Sequence, residues 1–150
     1  METTTASMQR HVYPLYKRII LSIVYLNGGK ISETKLIAFL HLLSKKINKL
    51  KDELDTEPWI KVKAKELDDF HVRIFLKKLI YDDSLLRDNF EEGDLIVILT
   101  KDGQEEIYDI LNDCTKEELD AIKEIINQYG KLSEKEVVDH ILKMLLENNL

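Results

Sequence analysis

The 150-residue sequence predicts an α+β protein that is mostly α-helical. Three observations predict this class. Apolar residues recur at helical spacing in several segments, two short apolar runs flank one glycine-containing turn, and two capping boxes occur near the end of the chain. Hydrophobic residues make up 44% of the chain and charged residues 33%, a balance typical of a globular protein with its own core.

The first half of the chain predicts two helices joined by a short β-prone stretch. Residues 13–29 have apolar positions at helical spacing, and Gly28 and Gly29 stand where a helix C-cap belongs. The β-prone stretch ends at Ser32, whose hydroxyl is expected to cap a second helix over residues 33–50. The early chain therefore has the order helix, short strand, helix.

The middle of the chain predicts a connector, a third helix and a hairpin. Residues 52–65 break the helical period and predict a connector with a brief strand. Residues 66–83 have one apolar and one charged face and predict a helix. The apolar runs Leu85–Phe90 and Leu95–Leu99 are expected to pair as a β-hairpin, with Gly93 supplying the positive φ of the turn.

The C-terminal part predicts three further helices. The stretch Leu-Thr-Lys-Asp-Gly, residues 99–103, leads into a helical segment over residues 105–114. Thr115 with Glu118, and Ser133 with Glu136, have the spacing of capping boxes and are expected to open the last two helices.

Charge is distributed unevenly along the chain. Residues 1–80 contain 15 Lys and Arg against 9 Asp and Glu, a balance of +6, whereas residues 81–150 contain 7 against 19, a balance of −12. A polyanion would therefore meet the first part and be repelled by the second. Alternatively, the two parts form solvated faces of opposite sign.

The domain organisation follows from these elements. Residues 1–11 are interpreted as a flexible tail, residues 12–111 as the main domain, and residues 112–150 as a helical extension that packs on it or dimerises. The start of the chain lacks a secretory signal and no apolar run is long enough for a membrane span, which predicts a cytoplasmic protein. Cys114 is the only cysteine, so an internal disulfide is excluded.

The order helix, strand, helix, linker, helix, hairpin, helix resembles the winged helix-turn-helix superfamily. The resemblance covers residues 12–111, and the step Leu99–Gly103 is similar to the Leu-Thr-x-x-Gly step after the wing strand of MarR-like and PadR-like regulators. The C-terminal part is also similar to the tail of SocA-like (Panacea) antitoxin-associated proteins. The resemblance implies a winged helix with two extra C-terminal helices, whose third helix enters the DNA major groove.

The sequence gives no support for catalysis, so the protein is expected not to be an enzyme and to carry no cofactor or metal. The histidines show no metal-binding spacing and are interpreted as surface or boundary residues; they are His11, His41, His71 and His140. Acidic residues around Cys114 would raise the pKa of its thiol, which argues against a nucleophile.

DNA binding is the first functional prediction, for a transcriptional regulator that binds double-stranded DNA. The expected phosphate contacts are the cations around the third helix and at the end of the second: Lys61, Lys63, Lys65, Arg73, Lys77, Lys78, Lys45 and Lys46. Carboxylates oppose this prediction, because Glu66, Asp68 and Asp69 stand at the predicted start of the third helix and others at the hairpin tip.

A winged-helix protein-interaction module that does not bind DNA is the alternative. Its partner-binding residues would be those of the hairpin tip: Phe90, Glu91, Glu92 and Asp94. A homodimer is also predicted, through an apolar stripe of the last helix that could equally cover the chain's own core; the stripe comprises Val138, Ile141, Leu142 and Leu145.

Overall fold

A computed structural model describes residues 11–54, 59–61 and 66–148, and this part of the chain is mostly helical with a small antiparallel sheet, which confirms the α+β, mostly α, class. The helices are α1 (Leu15–Leu26), α2 (Glu33–Ser44), α3 (Asn48–Leu54), α4 (Phe70–Lys77), α5 (Lys101–Asp113), α6 (Lys116–Tyr129) and α7 (Glu134–Asn148). The predicted tail at residues 1–11 lies outside the described residues except for His11.

Five strands occur in the described part of the chain, and they form two separate sheets. They are β1 (Lys30–Ser32), β2 (Trp59–Lys61), β3 (Glu66–Asp68), β4 (Leu86–Glu91) and β5 (Asp94–Leu99). The larger sheet has the order β1-β5-β4 with antiparallel pairing, in which Ile31 pairs with Val97 and Leu86 with Leu99. Strands β2 and β3 form a two-stranded antiparallel ribbon between α3 and α4.

The first two helices have the predicted signals at their ends. Helix α1 stops before Gly28 and Gly29, both at positive φ, and Ser32 accepts a hydrogen bond from the amide of Lys35 as the N-cap of α2. The single helix predicted over residues 33–50 is wrong, because α2 ends at Ser44 and α3 starts at Asn48. At that break the Ser44 hydroxyl donates to the carbonyl of His41, a local bond that competes with the helical ladder.

The helix predicted from Glu66 starts later than expected. Glu66 lies in β3, and α4 begins at Phe70 because Asp69 is the N-cap, its carboxylate accepting from the amides of His71 and Val72. The chain then continues as a π-helical turn over Lys78–Asp82. The sequence placed the carboxylate of Asp69 at the exposed start of the helix that would face DNA. That prediction is wrong, because Asp69 is buried.

The predicted hairpin is confirmed, with its first strand displaced by one residue. Glu91 pairs with Asp94, which leaves a two-residue loop of Glu92 and Gly93. Both loop residues have positive φ, 54° and 87°, as a type I′ turn requires.

The Leu-Thr-Lys-Asp-Gly step joins β5 to α5 through a specific local contact. The Thr100 hydroxyl donates to the carbonyl of Ser84 at 2.7 Å and accepts from the amide of Gly103 at 3.0 Å, so it caps α5 and fixes the helix to the chain before β4. A Cβ at Gly103 would collide with the Leu85 carbonyl oxygen and come within 2.7 Å of Leu99 Cδ1. Glycine is therefore required by packing rather than by a positive φ.

Both predicted capping boxes are present, at Thr115 with Glu118 and at Ser133 with Glu136. The two helices that they open pack inward, α6 against α1 and α7 against α2. One core cluster therefore includes side chains from α1 to α7 and from the sheet.

Charged groups join α1 to the start of α6 at a contact that we call the α1–α6 seam, formed by the buried residues Arg18 and Glu118 and by the half-buried Asp113 at the end of α5. The Arg18 guanidinium donates to both carboxylate oxygens of Glu118, at 3.3 and 2.8 Å, and to the carbonyl of Tyr13 at 2.8 Å. The Asp113 carboxylate accepts from the amides of Val12 and Tyr13. Burial alone raises the pKa of Asp113, but these bonds and the nearby cations lower it overall.

Candidate functional site on helix α4 and the hairpin

Helix α4 and the π-helical turn present an exposed side of mixed apolar and cationic character. We call this side the α4 face; it comprises Phe70, Arg73, Ile74, Lys77, Lys78 and Tyr81, all exposed. Phe70, Ile74 and Lys77 are four and seven residues apart and so share one side of the helix. The exposed fractions of Phe70 and Tyr81 are 72% and 69%, values unusual for such large apolar rings.

The opposite side of α4 fixes the helix to the core. Val72, Leu76 and Leu79 are buried, and the ring of Phe75 packs on the ring of Tyr16 with centroids 4.4 Å apart. Because this inner side is so well anchored, the exposure of the α4 face does not come from a loosely packed helix. The apolar side chains on it are held out to solvent.

A cavity of about 230 Å³ lies between α3 and α4, beside the α4 face. Leu54, Ile74 and Phe75 supply its apolar walls, and Glu53 and His71 lie around it. The Glu53 carboxylate accepts a hydrogen bond from the amide of Tyr16 at 3.1 Å, so it is already engaged within the chain. The cavity therefore offers mainly an apolar surface.

The cations of the α4 face differ in their partners. Arg73 lies 3.5 Å from the carboxylate of Glu33, and this pair reduces its charge toward a ligand. Lys77 has no carboxylate partner among the described residues, and Lys78 only lies over the ring of Phe75, at 5.4 Å from its centroid. Residues 70–81 contain three lysines and arginines and no aspartate or glutamate. The α4 face is therefore positive.

The hairpin tip combines an exposed aromatic ring with carboxylates. Phe90 is 73% exposed beside its strand partner Leu95. Glu91 lies 3.5 Å from the ammonium of Lys30, while Glu92 and Asp94 are exposed. The tip is therefore apolar and negative, opposite in charge to the α4 face.

The other cations predicted to contact DNA are not shown to join one surface. Lys46 forms an ion pair with Glu124 of α6 at 2.9 Å, which directs it toward the acid-rich half of the chain. Lys45 is exposed near the end of α2. The side chain of Lys61 and the whole of Lys63 and Lys65 lie outside the described residues.

The stripe predicted as a dimer interface is used largely within the chain. Val138 and Ile141 are buried in the core cluster, and Leu142 packs partly against it. The side chain of Leu145 lies outside the described residues. Val138 and Ile141 therefore present no free surface to a second copy, and dimerisation stays a prediction.

Two of the groups considered for catalysis, Cys114 and His41, are buried. Burial, and then the charges of Glu118 and Asp113, raise the pKa of the Cys114 thiol. His41 is buried rather than at the surface, and neither of its ring nitrogens has a hydrogen-bond partner. Within the described part of the chain no cluster of three potential metal ligands occurs.

A second cavity, of about 270 Å³, opens between the sheet and the starts of α2 and α7. Its lysines are bound within the chain: Lys35 donates to the carbonyls of Gly130 and Leu132 at 2.7 and 2.8 Å, and Lys30 pairs with Glu91. Such committed groups leave little to recognise a ligand.

Sequence reasoning missed the apolar half of the α4 face. The helical period placed Val72, Leu76 and Leu79 on the inner side, and the same period puts Phe70 and Ile74 on the outer side among cations. The sequence does contain a signal for this half of the face: large apolar residues stand at outward positions of a helix that is otherwise amphipathic.

Comparisons with protein-family models, curated proteins and solved structures found no match. Among the described residues, no helix has both the length and the apolar character needed to cross a membrane.

Proposed function

We propose that this chain is a non-enzymatic winged-helix module that binds a partner protein through the α4 face and the hairpin. The winged-helix assignment is supported by the succession of α1, β1, α2, α3, α4 and the β4–β5 hairpin, and by the sheet order β1-β5-β4. The β2–β3 ribbon is then an insertion before the third main helix.

The distribution of exposed apolar side chains carries the proposal. The described residues include six large hydrophobic side chains that are exposed, and four of them lie on the α4 face and the hairpin: Phe70, Ile74, Tyr81 and Phe90. Phe, Tyr and Arg are enriched in the buried centres of protein interfaces. A winged helix uses these same two elements to contact its ligand. The exposed apolar groups therefore coincide with the expected contact elements.

Double-stranded DNA is the second candidate, favoured by one observation. Residues 70–81 carry no carboxylate, and the carboxylate of Asp69 is turned inward as a helix cap. Phosphate binding would need several unpaired cations on one surface, whereas Lys46 and Arg73 pair with acids and the hairpin tip is acidic. Binding of a partner protein explains both the exposed apolar side chains and the acidic hairpin tip, whereas DNA binding explains neither.

Photo-crosslinking from two matched tyrosine positions tests the proposal. A photoreactive phenylalanine derivative replaces Tyr81 in one variant and Tyr108 in the other, because these side chains are similarly exposed, at 69% and 65%. Irradiation in an extract of the source cells should give a protease-sensitive adduct from position 81 only, and Ile74→Asp should abolish it. A nuclease-sensitive adduct from position 81 would instead establish DNA as the ligand.

A further inference from the structure

We infer that the segment docked on the α4 face is an acidic amphipathic helix of the partner protein, with one large apolar side chain seated in the cavity between α3 and α4. This inference rests on the proposed function and specifies the chemistry of the partner. Three observations carry it: the size of the cavity, the length of the exposed apolar row, and the sign of the charge beside it.

The cavity has the size of a side-chain pocket. Its volume of about 230 Å³ is below the range of about 300–1,000 Å³ usual for small-molecule sites. Leu54, Ile74 and Phe75 offer an apolar lining, and the pocket opens beside the exposed α4 face. A single leucine or phenylalanine side chain from a docked segment suits such a pocket better than an independent ligand does.

The apolar row on the α4 face has the length of a short helix. It runs from Phe70 through Ile74 to Tyr81, which at a rise of about 1.5 Å per residue spans roughly 16 Å, or three helical turns. A partner helix that places apolar residues at positions i, i+3 or i+4, and i+7 would cover this row. A partner segment of only one helical turn would leave part of this row exposed.

The charge on the face selects an acidic helix. Lys77 and Lys78 lie beside the apolar row, and α4 itself contributes no carboxylate. Asp82 ends the π-helical turn just beyond Tyr81, and Asp83 after it pairs with Lys17 at 3.3 Å. Glutamate or aspartate flanking the apolar anchors of the partner would complement these ammonium groups, whereas lysine would be repelled. Arg73 contributes less, because Glu33 lies against it.

A display library tests the inference on the full chain. The library presents a helix with fixed apolar anchors at i, i+3 and i+7, and each flanking position encodes Glu or Lys with equal frequency. Selection on the wild-type chain at low salt should enrich Glu about tenfold or more over Lys, a preference that weakens as salt screens the charges. The variant Lys77→Glu with Lys78→Glu should reverse the preference.

Two controls separate charge from fold. Lys123→Glu with Lys143→Glu changes the net charge equally at exposed positions on α6 and α7 and should keep the preference for Glu. Ile74→Asp should remove selection altogether, with an unchanged circular dichroism spectrum and unfolding temperature. Enrichment that survives Ile74→Asp would overturn the inference.

The remaining outcomes distinguish this inference from the proposed function. Selection of Lys-rich or charge-indifferent helices that still depend on Ile74 overturns the acidic partner but keeps protein binding. Failure to select any helix also overturns the inference, and the crosslinking from position 81 then decides the function. If a short DNA duplex binds in a Lys77-dependent manner while no helix is selected, both proposals fall. Selective binding of a second copy of this chain to the face would likewise replace the acidic helix.

Discussion

The α1–α6 seam and the α4 face break the same rule in opposite directions. In the seam, Arg18 and Glu118 are charged and almost fully buried, with exposed fractions of 4% and 7%. On the α4 face, Phe70 and Tyr81 are apolar and mostly exposed. The buried charges are explained by partners within the chain, whereas no described residue covers the exposed rings to a comparable extent. The α1–α6 seam stabilises the fold, and the α4 face is a candidate surface for contact with another molecule.

Breaking the seam should cause the largest loss of stability. Arg18→Met leaves the Glu118 carboxylate buried without its guanidinium partner, so we expect the free energy of unfolding to fall by about 3–5 kcal/mol. Urea unfolding followed by circular dichroism measures this change.

The matched control for this variant removes both charges. Arg18→Met combined with Glu118→Leu should recover most of the loss, because no unpaired charge remains buried. Recovery should stop short of the wild-type value, since Glu118 also accepts a hydrogen bond from the amide of Thr115 in the capping box. A single variant that loses less than about 1 kcal/mol would contradict the structural role of the seam.

His41 provides a buried polar group without the partners that the seam has. Both ring nitrogens are buried and make no hydrogen bond, so His41→Leu should raise the free energy of unfolding by about 1 kcal/mol at neutral pH. Burial, and then the ammonium of Lys45, lower the pKa of His41 in the folded chain. The unfolded chain therefore binds the proton more readily.

The sign of the pH dependence follows from this shift. Above its ordinary unfolded pKa of about 6.5, His41 does not make the free energy of unfolding depend on pH. As the pH drops below that value toward the lower folded pKa, the free energy of unfolding falls, because the unfolded chain takes up the proton first. The lowered pKa of Asp113 acts in a more acidic window, below about pH 3.9, and so does not interfere. Urea unfolding between pH 7.5 and 5 should show a steeper decline for the wild type than for His41→Leu.

The hairpin tip carries a smaller, local strain. Glu92 adopts a φ of 54°, a conformation that asparagine tolerates better than glutamate. Glu92→Asn should therefore stabilise the chain by about 0.5 kcal/mol. Glu92→Gln removes the same charge but keeps the unfavourable backbone, so it should change the unfolding midpoint little. Equal gains from both variants would assign the effect to charge instead of conformation.

The predictable part of the fold depended on local signals. Ser32, Thr115 and Ser133 cap the helices that follow them, and the Glu92-Gly93 turn pairs the strands as expected, because each signal acts over three or four residues. The break at Ser44 and the late start of α4 at Phe70 were missed. At both places the apolar periodicity continues across the boundary, and the boundary is marked by side-chain hydrogen bonds of Ser44 and Asp69.

The candidate site was less predictable because it depends on long-range contacts. Arg18 and Glu118 are 100 residues apart, and Lys46 meets Glu124 only in the folded chain, so no window of sequence shows that these charges are neutralised. The sequence identified the cations around α4 but not which of them have partners. The DNA-binding role stays a prediction, and the apolar half of the face emerged from the exposure of its side chains.

The smallest effect on stability is expected on the α4 face, and it decides whether the comparison holds. Phe70→Ala removes a ring that is 72% exposed and should change the free energy of unfolding by less than about 0.5 kcal/mol. Phe39→Ala removes the same ring from the fully buried core and should cost about 3–5 kcal/mol. Urea unfolding of both variants gives the contrast directly. If Phe70→Ala lowers the free energy of unfolding as much as Phe39→Ala does, Phe70 supports the fold. The main evidence that the α4 face is a contact surface would then be lost.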